Sequence, residues 1–230
     1  ITNTLGERPS LAGWTSRVNR ANPDLSTHTA TISFTADGDY TFDMKYQDNA
    51  RNAAAPVPQQ KFTIDKTEPV INVAYSSNDA QNGNYFNTAR TATISITERN
   101  FETSRIQITG TATDDGSTIA FPEVSRWNSV GDVHTATIHY GTDGLYTFDI
   151  AYTDKAGNVA AEYTVDEFYV DQTAPELTIS GVEHMSANNG EVIPVISYRD
   201  TNFNPNNVTI SLTGANRGPV ELVGSYSDEG

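Results

Sequence analysis

Oxygen is the only ligand chemistry this sequence supplies in quantity. With no cysteine in 230 residues, thiolate nucleophiles, thiolate metal sites and disulfides are all excluded. His28, His134, His139 and His184 are isolated from one another and from any serine motif or paired acid, so they read as structural or surface residues. Asp43 and Asp149 alternate with apolar residues in equivalent strands, which points them to solvent rather than into a carboxylate pair. What remains is a set of acids and amides in three short segments. Asp65 and Glu68 lie in IDKTEP, Glu98 and Asn100 in TERNF, Asp154 and Asn158 in TDKAGN. Such hard oxygen donors suit Ca²⁺, which takes about 6–8 of them. The same residue types also serve turns without any metal, because Asp and Asn bond their own backbone and tolerate left-handed conformations. AlaGlyAsn at 156–158 fits a tight hairpin turn in that way. The cation requires a fold that carries all three segments to one place.

Formal charge is −15, from 29 acidic and 14 basic residues. A field of that sign repels nucleic acid and anionic membranes and favours small cations. No 18-residue apolar run is present, so membrane insertion is not expected of this segment. The first residue is Ile1 and no leader pattern follows it; the chain reads as a window on a longer polypeptide.

Internal repetition sets the organisation. DGDYTFDMKYQDNARN at 37–52 returns as DGLYTFDIAYTDKAGN at 143–158, an offset of 106 residues. HTATI at 28–32 returns at 134–138, and FTIDKTEP at 62–69 returns as FYVDQTAP at 168–175, both at the same offset. TATISITERNF at 91–101 matches IPVISYRDTNF at 193–203 at an offset of 102, the difference lying in the connection after the first strand. Residues 67–173 therefore form one complete repeat. Residues 1–66 are the C-terminal half of a preceding repeat and 174–230 the N-terminal half of a following one. A half-repeat exposes an apolar face and an open strand edge. Either flanking sequence completes the halves, or the two halves pair with each other.

Within the complete repeat the apolar residues recur with period two, the signal of half-buried strands. Ile71, Val73 and Tyr75 form one set, Ala92, Ile94 and Ile96 a second, Ile106 and Ile108 a third. Ala136, Ile138 and Tyr140 follow, then Tyr146, Phe148, Ile150 and Tyr152, then Tyr163, Val165, Phe168 and Val170. In the last set Asp166-Glu167 interrupts the alternation and suggests a β-bulge. No helical period competes. About seven short strands in some hundred residues predict an all-β sandwich.

Tyr146 opens its strand two residues before Phe148, as Tyr40 does before Phe42. In immunoglobulin-type sandwiches a Tyr at this corner bonds back to the backbone two residues ahead of the core cysteine; here Phe stands in the cysteine's place. With DGxYTF, YTDKAGN and VDxTxP together, the chain resembles the bacterial Ig-like repeats of large cell-surface proteins. ERNF at 98–101 is similar to repeats of Gram-positive gut bacteria. The resemblance implies tandem, cysteine-free Ig-like sandwiches on an extracellular surface or cell wall. It brings no catalytic motif, so no enzyme is expected.

In that fold the linker entering a repeat, the loop after the second strand and the last hairpin turn lie at one end. Asp65, Glu68, Glu98, Asn100, Asp154 and Asn158 are then neighbours at a domain junction, as are Asp171, Glu176, Asp200 and Asn202 at the next. A junction Ca²⁺ would stiffen the array. Trp14 and Trp127 are expected to pack against the core rather than to stack on sugars. Lys66 and Lys155 sit in a linker and a turn, away from any core face where an isopeptide bond would form. The expected role is a stalk or spacer whose partners are its neighbouring repeats. The alternative is an adhesive module that takes a host glycan or surface protein through its loops.

Overall fold

The computed structural model describes residues 2–3, 9–22, 26–211, 213–214 and 218–219. Two compact units divide the chain, Ile1–Gln172 and Thr173–Gly230. The strands used below are β1 (Gly38–Phe42), β2 (Gln60–Ile64), β3 (Val70–Tyr75), β4 (Tyr85–Phe86), β5 (Arg90–Thr97), β6 (Ile106–Asp114) and β7 (Ser117–Thr118). They continue as β8 (Asn128–Val130), β9 (Val133–Tyr140), β10 (Gly144–Tyr152), β11 (Asp166–Val170), β12 (Glu176–Ser180) and β13 (Val195–Arg199).

Alternation becomes two facing sheets in the stretch from β3 to β11. One sheet has four strands in the order β8-β9-β5-β3, with Ile94 opposite Ala136 and Val73. The other has five in the order β7-β6-β10-β11-β4, with Phe148 opposite Gly110 and Tyr146 opposite Phe168. Every second side chain of β5, β9 and β10 is buried, so Ala92, Ile94, Ile96, Ile138, Tyr140, Phe148 and Ile150 fill the space between the sheets. Burying an aliphatic or aromatic side chain of this size stabilises by roughly 1.5–3 kcal/mol, and that term replaces the missing disulfide. Gly110 is required by the packing: a Cβ there would lie 2.4 Å from both the Phe121 ring and the Thr147 carbonyl oxygen.

The corner predicted from the repeat is present twice. Tyr146 Oη donates to the Thr142 carbonyl at 2.8 Å, and Tyr40 Oη donates to the Ala36 carbonyl at 2.6 Å. At the other end of β11 the expected bulge is absent. The strand starts at Asp166, whose register opposite Phe148 is regular. Asp166 faces inward with Phe168 and Val170, and its carboxylate accepts the hydroxyls of Tyr75 (2.7 Å) and Tyr163. A half-buried acid, not an extra residue, interrupts the alternation. Arg90 is its unforeseen counterpart: the guanidinium lies 3.9, 3.8 and 4.4 Å from the ring centres of Tyr75, Phe86 and Phe168 and donates to the Ser77 carbonyl. Phe86 belongs to β4, a short strand that pairs in parallel with β11 inside a connection the sequence presented as a loop.

Register fixes where the chain enters and leaves this sandwich. Val70, at the start of β3, lies beside Thr97. Val170, at the end of β11, lies opposite Gly144, the first residue of β10. Glu102 N donates to Tyr152 Oη and Phe101 packs on Tyr152, which places the end of β10 beside the end of β5. Entry and exit are at opposite ends.

Before β3, β1 pairs with β2 and with Thr2–Asn3. Thr15–Arg17 pairs with Thr27–Thr29, and Ser10–Leu11 with Ile32–Ser33. Phe34, Tyr40, Phe42 and Phe62 form an aromatic cluster with ring centres 5.0–6.4 Å apart. In the second unit β12 and β13 form an antiparallel pair with Leu177 opposite Tyr198 and Ile179 opposite Ile196.

Candidate metal centre

Three segments that are far apart in sequence meet at the entry end of the sandwich. Asp65 follows β2, Glu98 follows β5 and Asp154 follows β10. One carboxylate oxygen from each lies within 4.8 Å of the others. Glu98 and Asp154 are 4% and 0% exposed, while Asp65 is half-buried.

Each acid is held by local geometry that its sequence explains. Asp154-Lys155-Ala156-Gly157-Asn158 is a closed turn in which Asp154 Oδ1 accepts from Asn158 N (2.8 Å) and Oδ2 from Asn158 Nδ2 (2.7 Å). The same amide donates to the Asp65 carbonyl at 3.1 Å, tying the incoming linker to the turn. Glu98 Oε1 accepts from Asn100 N at 2.6 Å, and Asn100 Nδ2 donates to Asp65 Oδ2. Asp65 Oδ1 accepts from Thr67 N at 3.2 Å. Beneath Glu98 lies His134, which is buried and stacks on Phe101 with ring centres 3.9 Å apart. Its Nε2 is 2.7 Å from the Glu98 carbonyl oxygen and its Nδ1 is 2.7 Å from Ser129 Oγ. A carbonyl only accepts, so Nε2 carries the proton and Nδ1 accepts from the serine.

The cations around the group pair with other acids, and Arg105 also donates to the Asp154 backbone carbonyl at 3.2 Å. Arg105 pairs with Glu102 at 3.1 Å, Lys155 with Glu102 at 3.8 Å, and Arg99 with Asp39 at 3.1 Å. Among the described residues no Lys or Arg forms an ion pair with Asp65, Glu98 or Asp154. Burial pushes the Glu98 carboxyl above its ordinary range; the Asp65 and Asp154 charges push it the same way, while the Asn100 amide and the Arg99 charge pull it down. Like charges at such a distance repel by about 3–4 kcal/mol per pair at an effective dielectric near 20. Two routes relieve that repulsion, protonation of one acid or capture of a cation. A hard divalent ion fits the donor set, since the converging atoms are all carboxylate oxygen.

Of the six residues expected to gather, Asp65, Glu98 and Asp154 converge, and Asn100 and Asn158 surround them with their amides donating to the acids. Glu68 is exposed and lies outside the group. The contribution of His134 was not legible beyond its repetition at His28, which is exposed and meets Ser16 Oγ at 2.7 Å instead. The turns recur alone elsewhere. Asp48 accepts from Asn52 N (2.7 Å) and Asn52 Nδ2 (2.8 Å) just as Asp154 does from Asn158, and Asn202 N donates to Asp200 Oδ1 at 2.8 Å as Asn100 does to Glu98. Of the tryptophans, Trp127 packs 5.4 Å from Phe101 against the core. Trp14 departs from expectation and is 63% exposed, because the short strands around it bury little.

Residues 26–128 match the family model of the bacterial Ig-like domain (group 3). The matched window starts before β1 and ends within β8, so it is out of phase with the two-sheet sandwich of β3 to β11. No curated protein and no solved structure matches the chain.

Proposed function

We propose, from the match of residues 26–128 to the family model of the bacterial Ig-like domain, that the chain is a non-catalytic spacer of a bacterial surface protein, stiffened at its junction by Ca²⁺. Bacterial Ig-like domains are common in extracellular proteins and generally non-catalytic, and no helix among the described residues is long and apolar enough to cross a membrane. Cell surface or cell wall is the location this role requires. Entry and exit at opposite ends of the sandwich support a spacer, because repeats joined that way add length.

The observation that carries the reading is the origin of the three acids. Asp65 belongs to the segment leaving the preceding half-repeat, Glu98 to one sheet and Asp154 to the other. An ion shared among them links the preceding repeat to both sheets of the next, with Asn100 and Asn158 fixing the acids and His134 supporting Glu98 from below. Its effect is mechanical: bending the junction would separate the ligands.

Melting the wild type and Asp154→Asn in chelator and in millimolar Ca²⁺ tests the proposal. Extracellular calcium modules bind at about 10⁻⁴–10⁻³ M, so millimolar calcium, roughly 1–10 times Kd, stabilises by about 0.4–1.4 kcal/mol. The wild type should melt several degrees higher in calcium and the variant should not respond. A wild-type curve that stays put would remove the cation from the account. Saturable binding to a glycan or host protein would replace the spacer by the adhesive module.

A further inference from the structure

Of the eleven tyrosines, two stand ring against ring on the outer surface of the sandwich. β4 and β11 run parallel with Tyr85 beside Tyr169. Phe168 and Val170 of β11 turn into the core, as Phe86 of β4 does, which leaves Tyr169 and Tyr85 on the outward face, both half-buried. The rings are cofacial, with centres 4.2 Å apart and planes 3° from parallel. Their hydroxyls are in hydrogen-bonding contact, so the rings point the same way and the Cε carbons, ortho to each hydroxyl, lie over one another. Backbone bonds hold the pair on either side: Tyr169 N donates to the Asn84 carbonyl and Asp171 N to the Phe86 carbonyl, both at 2.9 Å. Asn84 Nδ2 adds a bond to the Glu167 carbonyl at 3.3 Å. Tyr140 and Tyr146, the other tyrosine pair in ring contact among the described residues, are tilted by 66° and are 0% and 1% exposed. Tyr75 and Tyr163 meet at their hydroxyl ends, through the Asp166 carboxylate. The pair on β4 and β11 alone joins ring overlap to access from solvent.

We propose that Tyr85 and Tyr169 are a site of oxidative cross-linking, joined Cε to Cε as dityrosine by a peroxidase-type one-electron oxidant working with hydrogen peroxide. Each ring gives up one electron and its phenolic proton, leaving a radical shared between the oxygen and the ortho carbons. The two radicals combine to form one Cε–Cε bond. The hydrogen displaced from each of those carbons returns to an oxygen as the rings regain aromaticity. In total two electrons and two protons reduce one hydrogen peroxide to two waters, and the chain becomes lighter by two hydrogens. Contact between the rings makes the coupling intramolecular, with no diffusional encounter between radicals. The bond closes the chain from residue 85 to residue 169 and fixes β4 to β11. It is a covalent closure that a chain without cysteine cannot make with a disulfide. It uses no residue of the calcium junction and stands independently of that reading.

The test treats the dilute full chain, Tyr85→Phe and Tyr169→Phe with a haem peroxidase and hydrogen peroxide, both folded and in urea. Products are mapped by protease digestion and mass spectrometry. In the folded wild type the peptides carrying Tyr85 and Tyr169 should be recovered as one species, about 2 Da lighter than their sum. Fragmentation should place the bond on those two residues, and dityrosine fluorescence should run with the monomer. Phenylalanine keeps the ring stack and removes the phenol, so either variant should lose the species altogether. Urea separates the rings and should lower the yield by about tenfold or more. Sulfoxide at the exposed Met44 and Met185 confirms that the oxidant acted on every sample. A wild type with oxidised methionines but separate Tyr85 and Tyr169 peptides would overturn the proposal. So would a linked species that persists in either variant, or equal yields folded and in urea.

Discussion

Glu98 shows how much an individual residue owes to its neighbours. Its carboxyl is raised first by burial and further by the Asp65 and Asp154 charges, with the Asn100 amide acting the other way. A raised acid binds more protons folded than unfolded between the ordinary value of 4.5 and its higher folded value. Stability from this group is therefore present below 4.5 and falls as pH rises through that window. In chelator, Glu98→Gln should melt higher than the wild type at pH 7 and show a flatter dependence above pH 4.5; with calcium the order should reverse. Asp37 and Asp48 are lowered by hydrogen bonds from Lys66, Thr67 and Asn52, so what they contribute is lost only as pH falls below about 3.8, outside the Glu98 window. Tyr140 supplies a second residue-scale prediction. Its hydroxyl is buried and has no hydrogen-bond partner among the described residues. An orphaned polar group of this kind costs about 1–3 kcal/mol, so Tyr140→Phe, which keeps the ring, should raise stability by about 1 kcal/mol in chemical denaturation. Unchanged or lower stability would mean that the hydroxyl is satisfied in solution.

At the scale of elements, strand β10 was the most legible part of the sequence. Strict alternation, the DGxY entry and a repeat at 37–52 all specify one strand, and it forms with Tyr146, Phe148, Ile150 and Tyr152 buried. Its first residue, Gly144, has φ of +154°, and a Cβ there would lie 2.8 Å from the Thr113 carbonyl oxygen. Gly144→Ala should destabilise by about 1–3 kcal/mol, lowering the melting temperature by roughly 4–8 °C for each kcal/mol in a domain of this size. A loss under half a kcal/mol would contradict the claim that the corner needs glycine. Period-two reading failed where a polar residue turns inward. Asp166 looked like a bulge because alternation arguments assume that acids face water, and only tertiary structure supplies the hydroxyls of Tyr75 and Tyr163 that satisfy it. Arg90 was silent for the same reason, since its three aromatic neighbours come from β3, β4 and β11. The three acids of the candidate metal centre could be named from loop positions in the fold. The repeat of His28 at His134 did not reveal that only His134 is buried under Glu98. Glu68 was misplaced because proximity in sequence to Asp65 says nothing about which side of the linker faces the loops.

For the whole molecule, the central claim is that a cation at the Asp65–Glu98–Asp154 junction stiffens a repeat built to extend. The two-sheet sandwich has its own core and its own tyrosine corner. The proposed calcium would act on the joint where the segment carrying Asp65 meets the loops after β5 and β10. The proposed spacer role rests on that joint and on the passage of the chain through the sandwich from one end to the other. The most direct test is small-angle scattering of the dilute full chain in chelator and in millimolar Ca²⁺, with Asp154→Asn alongside. The account predicts that calcium sharpens the distance distribution and reduces the high-angle signature of flexibility in the wild type but not in the variant. Superimposable wild-type profiles in the two buffers would contradict it.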